Sequence, residues 1–429
     1  MATAAGEEVG IGGGEGRPFA ALRYRDYRLL WLGTVLSFAT NPLRFSGGIL
    51  FLTNSAPDDT RLLLAGVLGA VIGVVTILVG LGGGALADHF ERRRLLIGSQ
   101  VVVIIATAAT ALVMAADVNA LTLTAFFVFV FISAGALSID LPTRQALVAE
   151  LVPPQHLANA IALDSVAMML VLPLSLPLAG VLIDTLGYAG AYGCSVVGFV
   201  GVLLSAYLIS PQPPPAAPPR AFSLVSDVRE GLRYVLVTPS ILWVLLLLFG
   251  VMAVGFPLVA QFGPVWVTEV LDLSATEFGF FAATWGLGAI TASLAMTRVG
   301  HFPAKGWVLI GAVLVFAISV VIWSYSRWVP LSALVNFSLG ASITLAQISA
   351  RSLVQRIVPA QLQGRVMSLF LLNIALAQIS ALPVGALAQL FSLSTVTVVG
   401  GWLVLLLALA IAFGRREVRR AGETAAALA

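Results

Sequence analysis

The residues able to do chemistry in this chain are polar side chains stranded inside apolar runs. Thr34, Ser37, Asn41 and Arg44 follow one another at spacings of three, four and three, which is one face of an α-helix. A second stripe, Ser332, Asn336, Thr344 and Gln347, has Gly340 completing its face. Hydroxyls, amides and a guanidinium hold a solute by hydrogen bonds and charge; they do not by themselves break bonds. Counted from Leu29 at ~1.5 Å per residue, Arg44 sits ~22 Å into its helix. There it either lines a water-filled cavity or snorkels to outer headgroups. Asn373 and Gln378 are weaker candidates that interhelical hydrogen bonding explains as well.

Two carboxylates lean inward. Asp140 closes its apolar run where a helix C-terminus disfavours negative charge, so it needs a cation, either Arg144 four residues on or Arg92. Asp164 lies about one turn inside the following run and reads as a proton carrier or as a structural partner. Asp184, at the far end of that run, reads as solvated. Catalysis finds no footing. His89, His156 and His301 all fall between runs, the single Cys194 reads as a packed small hydrophobe, and no phosphate-loop lysine motif is present. The expectation is no enzyme, no cofactor, no metal, and no direct use of ATP.

The elements that must position these residues follow from composition. Apolar residues make up 59% of the 429 and charged residues 10%, against about 25% charged in a soluble domain; mean hydropathy is +1.01. Most of the surface must therefore face lipid, and the net charge of +3 gives no argument for a nucleic-acid partner. A helix crosses ~30 Å of hydrocarbon in about 20 residues. Apolar runs of that kind cover 29–51, 62–87, 95–115, 121–141, 161–183, 191–209, 241–261, 278–296, 307–323, 329–348, 366–391 and 396–413. Twelve spans make an all-α membrane protein with both termini on one side. Twenty of the 23 Lys and Arg fall in loops on that side, with only Arg61 and Arg327 opposite and Arg44 inside a span. Basic loops stay in the cytoplasm, so both termini are expected there, and the first 16 residues, rich in Gly, Ala and Glu, read as a disordered tail rather than a signal peptide.

The organisation expected is a tail (1–26), six spans (27–209), a linker (210–238), six more spans (239–414) and a second tail (415–429). Within the linker, Pro211 to Pro219 reads as extended polyproline and 222–235 as an amphipathic helix. Leu147–Leu163 aligns with Leu353–Leu369 at six of 17 positions, including Pro153 with Pro359 and Gln155 with Gln361. Equivalent loops on the same side mean parallel repeats about an axis along the membrane normal.

Gly84-Ala-Leu-Ala-Asp88-His-Phe-Glu-Arg92-Arg93 resembles the loop motif between the second and third spans of the major facilitator superfamily, with His89 in place of a strong base and Glu91 in place of a glycine. The stretches 19–32, 141–163 and 229–239 resemble the branch that contains the enterobactin exporter and macrolide-efflux-like permeases. The resemblance implies two six-helix halves with spans 1, 4, 7 and 10 around a central cavity, and export of an amphiphilic small molecule, siderophore or drug-like, by alternating access in the bacterial inner membrane. It also implies a conformational latch of Gly84, Asp88, Arg92, Arg93 and Asp140, with Asp88 against 361–364 and Arg92 reaching Asp140. Substrate-cavity residues would be Thr34, Ser37, Asn41, Arg44, Asn336, Thr344 and Gln347; Trp243, Phe249, Met252 and Phe256 in the seventh span read as packing or lipid-facing. Two departures bear on proton coupling: no arginine lies between 121 and 141, and of the exporters' fifth-span glycine–proline motif only Pro177 and Gly180 remain. Asp164 is then the candidate proton site. Partners expected are a small-molecule substrate, membrane lipid and protons, with the chain a monomer. A lipid or lysolipid transporter of the same fold and a non-transporting sensor or scaffold are the alternatives.

Overall fold

In lipid every backbone polar group must be satisfied internally, so apolar runs of this length fold as helices. The computed structural model describes residues 19–211, 224–299, 305–415 and 417–419, the side chains at 80–89, 224–228, 298–299, 305, 360, 361, 364, 368 and 371 excepted. Ten stretches among them are long and apolar enough to cross a membrane. Twelve spans result because one of the ten is double and one helix lies outside the ten. The double one, Pro154–Tyr207, turns at Gly187, whose φ of 68° is open to glycine and strained for other residues. The helix outside the ten is Arg25–Ser55, in which the polar stripe dilutes the apolar run.

The spans are α1 (Arg25–Ser55), α2 (Arg61–His89), α3 (Arg92–Met114), α4 (Ala120–Leu151), α5 (154–186) and α6 (188–207), then the linker helix (Leu224–Val237). Next, α7 opens as Pro239–Gly250, passes through two π-helical turns, Val251–Gly255 and Pro257–Gln261, and ends as Gly263–Val270. It is followed by α8 (Ala275–Val299), α9 (Lys305–Tyr325), α10 (Val329–Ile357), α11 (Ala360–Ile379 and Ala381–Phe391) and α12 (Leu393–Gly414). The linker helix begins and ends two residues later than its sequence pattern suggests.

Contacts along α1 show how α5 and α6 run. Tyr27 hydrogen-bonds Ala160 and a Cβ on Gly47 would meet Ile183, so α5 climbs beside α1. Gly33 lies against Ser205 and the Arg44 carbonyl accepts from Tyr192, so α6 descends it. Of the twelve, α4 departs most from expectation. It runs ten residues past the apolar stretch, through Pro142, and carries Asp140, Thr143 and Arg144 buried within it.

The two halves close on each other along two seams, α2 with α11 and α5 with α8. A Cβ on Gly180 of α5 would stand 2.1 Å from the Ala275 carbonyl oxygen, and one on Gly66 of α2 2.6 Å from that of Ala381. Only bare backbone fits there. Polar ties reinforce the seams at the end remote from the termini. Arg61 pairs with Glu269, Gln389 spans from the Leu62 N–H to the Asp58 carbonyl, and Gln261 donates to the Ala65 carbonyl. Asp184 is exposed, as expected, and also accepts from the N–H groups of Ala275 and Thr276 at 3.3 and 2.7 Å. It caps the first turn of α8 beside a Ser274–Glu277 capping box.

Candidate functional site

Away from the helix ends, four charged side chains among the described residues stand inside the spans of the N-terminal half, and α1, α4 and α5 bring them into one column. At the terminal end Asp164 of α5 accepts from the Tyr27 hydroxyl at 3.2 Å, which also donates to the Ala160 carbonyl. Deeper in, Arg144 donates through Nε to Asp140 at 2.7 Å and approaches the Thr34 hydroxyl at 3.5 Å. The Gln100 amide of α3 holds the other Asp140 oxygen at 2.6 Å. Asp140 and Arg144 are 4 and 5% exposed, which is tolerable for charges only because each meets the other. Two α-helical turns further along α4, Ser133 accepts from Arg44 Nη2 at 2.7 Å, and the guanidinium lies 5.8 Å over the buried Phe199 ring. One Arg144 nitrogen, Nη2, the Gln100 carbonyl oxygen and Arg44 Nε are all buried without a partner. A column with such unmet donors and acceptors is built for water or ligand rather than for packing alone.

The polar stripes divide into clasped and open residues. Thr34 is buried and bonded to its own helix and to Arg144. Asn336 is 3% exposed and donates to the Phe281 carbonyl and Thr284 hydroxyl of α8, and Ser332 bonds Ser326. These three hold helices together. Ser37, Asn41, Thr344 and Gln347 are partly or fully exposed, and among the described residues no hydrogen bond fixes their side chains. They sit on α1 and α10, so each half offers two free polar groups.

Arg92 does not reach Asp140. It pairs with Glu150 and the Ala146 carbonyl at the end of α4, because α3 begins at Arg92 and the extended α4 ends beside it. Arg144, the nearer of the two cations considered, takes Asp140 instead. The reading that the fourth span lacks an arginine fails with it: Arg144 lies inside α4, beyond the apolar run that marked the span. Arg93 donates to the Tyr207 carbonyl and stacks 5.8 Å over that ring, pinning α3 to the end of α6. The side chains of Asp88, of Gln361 and of the whole Gly84 neighbourhood lie outside the described residues. His156 is bonded to the Tyr24 hydroxyl, a structural use, and no metal-binding cluster occurs among the described residues.

Two halves of six spans, seams of bare backbone and a charged interior in one half describe a carrier. The sequence matches the family described as transmembrane secretion effector over residues 16–427. The chain belongs to that family of the major facilitator superfamily. This major facilitator protein is 25% identical over 314 residues to the uncharacterised transporter YkuC of Bacillus subtilis, 68% of this chain and 69% of that one. It is 28% identical over 236 residues to the enterobactin exporter EntS of Shigella boydii. That match spans about half the length of the exporter, 53% of each chain. Among solved structures it is similar to an inward-facing, unoccupied bacterial homologue of the lysosomal transporter Spinster (TM-score 0.71, 14% identity, 95% of this chain and 98% of that one). It is also similar to the nucleoside transporter NupG (TM-score 0.70, 12% identity, 90% and 98%). At such identities the structures speak for the fold. The major facilitator protein is thus a multi-pass membrane transporter and not an enzyme.

The sequence showed each charge of the column singly. What it hid was their alignment, which depends on α4 continuing as a helix beyond the apolar run and on α5 starting at Pro154 rather than 161.

Proposed function

We propose that this transporter exports an amphiphilic organic molecule, siderophore or drug-like, across the bacterial inner membrane by alternating access. The observation that carries the reading is the placement of the ties between halves at the end remote from the termini. With the basic loops in the cytoplasm, these ties close the outer face, opposite the side from which an exported solute enters. The free side chains Ser37, Asn41, Thr344 and Gln347 then face the solute, and Asp164 is the group that loads and unloads a proton. The enterobactin exporters among its relatives support the direction of transport.

The test is transport in inside-out vesicles with enterobactin and a panel of labelled drugs and lysolipids. Energy-dependent accumulation of an amphiphile supports the reading; accumulation of none of them sinks it. A lipid substrate is the second reading. It is favoured by one observation: Ile161, Val166, Met168, Met169 and Leu170 of α5 are exposed on the terminal side of the α5–α8 seam, a route from the bilayer. Orientation is tested separately: cysteines placed at Arg61 and Arg327 should react with an impermeant thiol reagent in intact cells, and one at Arg93 should not.

A further inference from the structure

Among the described residues Arg44 has no acidic partner. The acids of the N-terminal column are engaged elsewhere, Asp140 by Arg144 and Gln100, Asp164 by Tyr27, and no ion pair is formed by Arg44 among the described residues. Its contacts are one hydroxyl, Ser133, and one ring face, Phe199. Tyr192 occupies the Arg44 backbone carbonyl and leaves the guanidinium untouched.

Depth makes this costly. Arg44 lies eleven residues from the far end of α1, about 17 Å along the axis. Its side chain turns inward to α4 and α6 rather than outward to headgroups. An arginine keeps its proton in proteins, and a charge at membrane depth without a partner marks a binding or conduction role by default. The guanidinium is buried at Nε, and the same face opens one turn nearer the termini, where Asn41 is exposed. Direct packing between α1 and α4 is sparse beside that of α1 on α5 and α6, so the side chain is the main link across this pair of helices. Its unpartnered Nε and its planar fork suit an oxyanion, which accepts two parallel N–H bonds.

We propose that Arg44 is the anion subsite of the transport cavity and that the exported amphiphile carries an acidic group, a sulfonate, carboxylate or phenolate, that pairs with it. This rests on the export reading and names the substrate class within it. The substrate supplies the missing counter-charge, so binding and neutralisation of Arg44 are one event.

The test uses two fluorescent probes of nearly the same shape, anionic anilinonaphthalene sulfonate and neutral N-phenylnaphthylamine, with purified protein in phosphatidylcholine nanodiscs. The readout is the ratio of their affinities, corrected for empty discs. Charged hydrogen bonds of this kind correspond to a factor of about ten to a hundred. In Arg44→Gln the preference for the sulfonate should therefore fall at least about tenfold, and in Arg44→Lys by less, since a point charge replaces the fork. Should Arg44→Gln fail to fold, Ser133→Asp keeps the arginine and gives it an internal carboxylate, which should abolish the preference equally. An unchanged ratio in Arg44→Lys and Ser133→Asp overturns the subsite even if vesicle transport of amphiphiles stands. Binding of neither probe, with transport of no amphiphile, overturns both readings. Loss of sulfonate binding on adding phosphatidylglycerol to the discs assigns Arg44 to a lipid headgroup and overturns the substrate assignment.

Discussion

The two halves of this transporter share a fold and differ in what they bury. When the alignment of Leu147–Leu163 with Leu353–Leu369 is extended, Asp140, Arg144 and Asp164 stand opposite Ala346, Ala350 and Phe370. Ala346 and Ala350 are fully buried, and Phe370 lies under Arg351 at 6.0 Å. The C-terminal half is held instead by neutral clasps and rings: Asn336 on α8, Ser319 on Ser338, and Trp266 edge-on to Trp323 at 5.1 Å. One repeat has kept charge in its interior while the other has none at the matching positions. On the proposed alternating-access reading the first half supplies the charged groups, while both halves supply neutral polar groups to the solute.

That contrast can be broken most severely at Arg144. Arg144→Ala leaves Asp140 buried without its cation, a loss of about 3–5 kcal/mol where a buried pair is split. The purified protein should melt many degrees lower, whereas Ala350→Ser at the matching site of the other half should shift the melting point little. Equal effects in the two halves would end the asymmetry argument. Asp164→Asn comes next. It should abolish export driven by a pH gradient yet leave downhill exchange in vesicles. A variant that still concentrates substrate removes Asp164 as the proton site.

The seam between the halves gives a smaller effect. A methyl at Gly180 meets a backbone oxygen and cannot be absorbed by a side-chain shift. In a Cys194→Ser background, Gly180→Ala should raise outside labelling of a cysteine at Ser37 several-fold. Gly98→Ala, with open space around it, should leave labelling alone. The smallest change is expected in the neutral half. Asn336→Ala loses interhelical hydrogen bonds of a kind that averages about 0.6 kcal/mol in membranes, so its melting point should stay within a few degrees of the parent's.

How much of this could be read in advance depends on physical range. The number of spans was legible because lipid forces helix on any long apolar run, and basic loops fixed the parity of that count. The stripe on α1 was legible because helical spacing is local. The column was not. Hydropathy marks where a chain prefers lipid, whereas a helix continues as long as its backbone bonds are met; α4 therefore carries Arg144 inside itself, beyond Pro142, where a hydropathy reading sees a loop. The capping role of the exposed Asp184 was hidden for the opposite reason. Its partners, the first N–H groups of α8, come from the other half, and no local pattern announces a cap supplied across a seam.

The π-helical turns of α7 carry a consequence for phase. Each bonds across five residues rather than four and so takes in about one extra residue, while an α-helix advances about 100° per residue. The two turns, Val251–Gly255 and Pro257–Gln261, thus rotate the last segment of α7 by about 200° relative to uninterrupted α-helical counting. A cysteine scan along α7 should show two accessibility waves that do not join, one through 239–250 and one through 263–270. By uninterrupted α-helical counting Trp266 would stand about 140° round the helix from Trp243, whereas the two π-helical turns bring it to within about 60°.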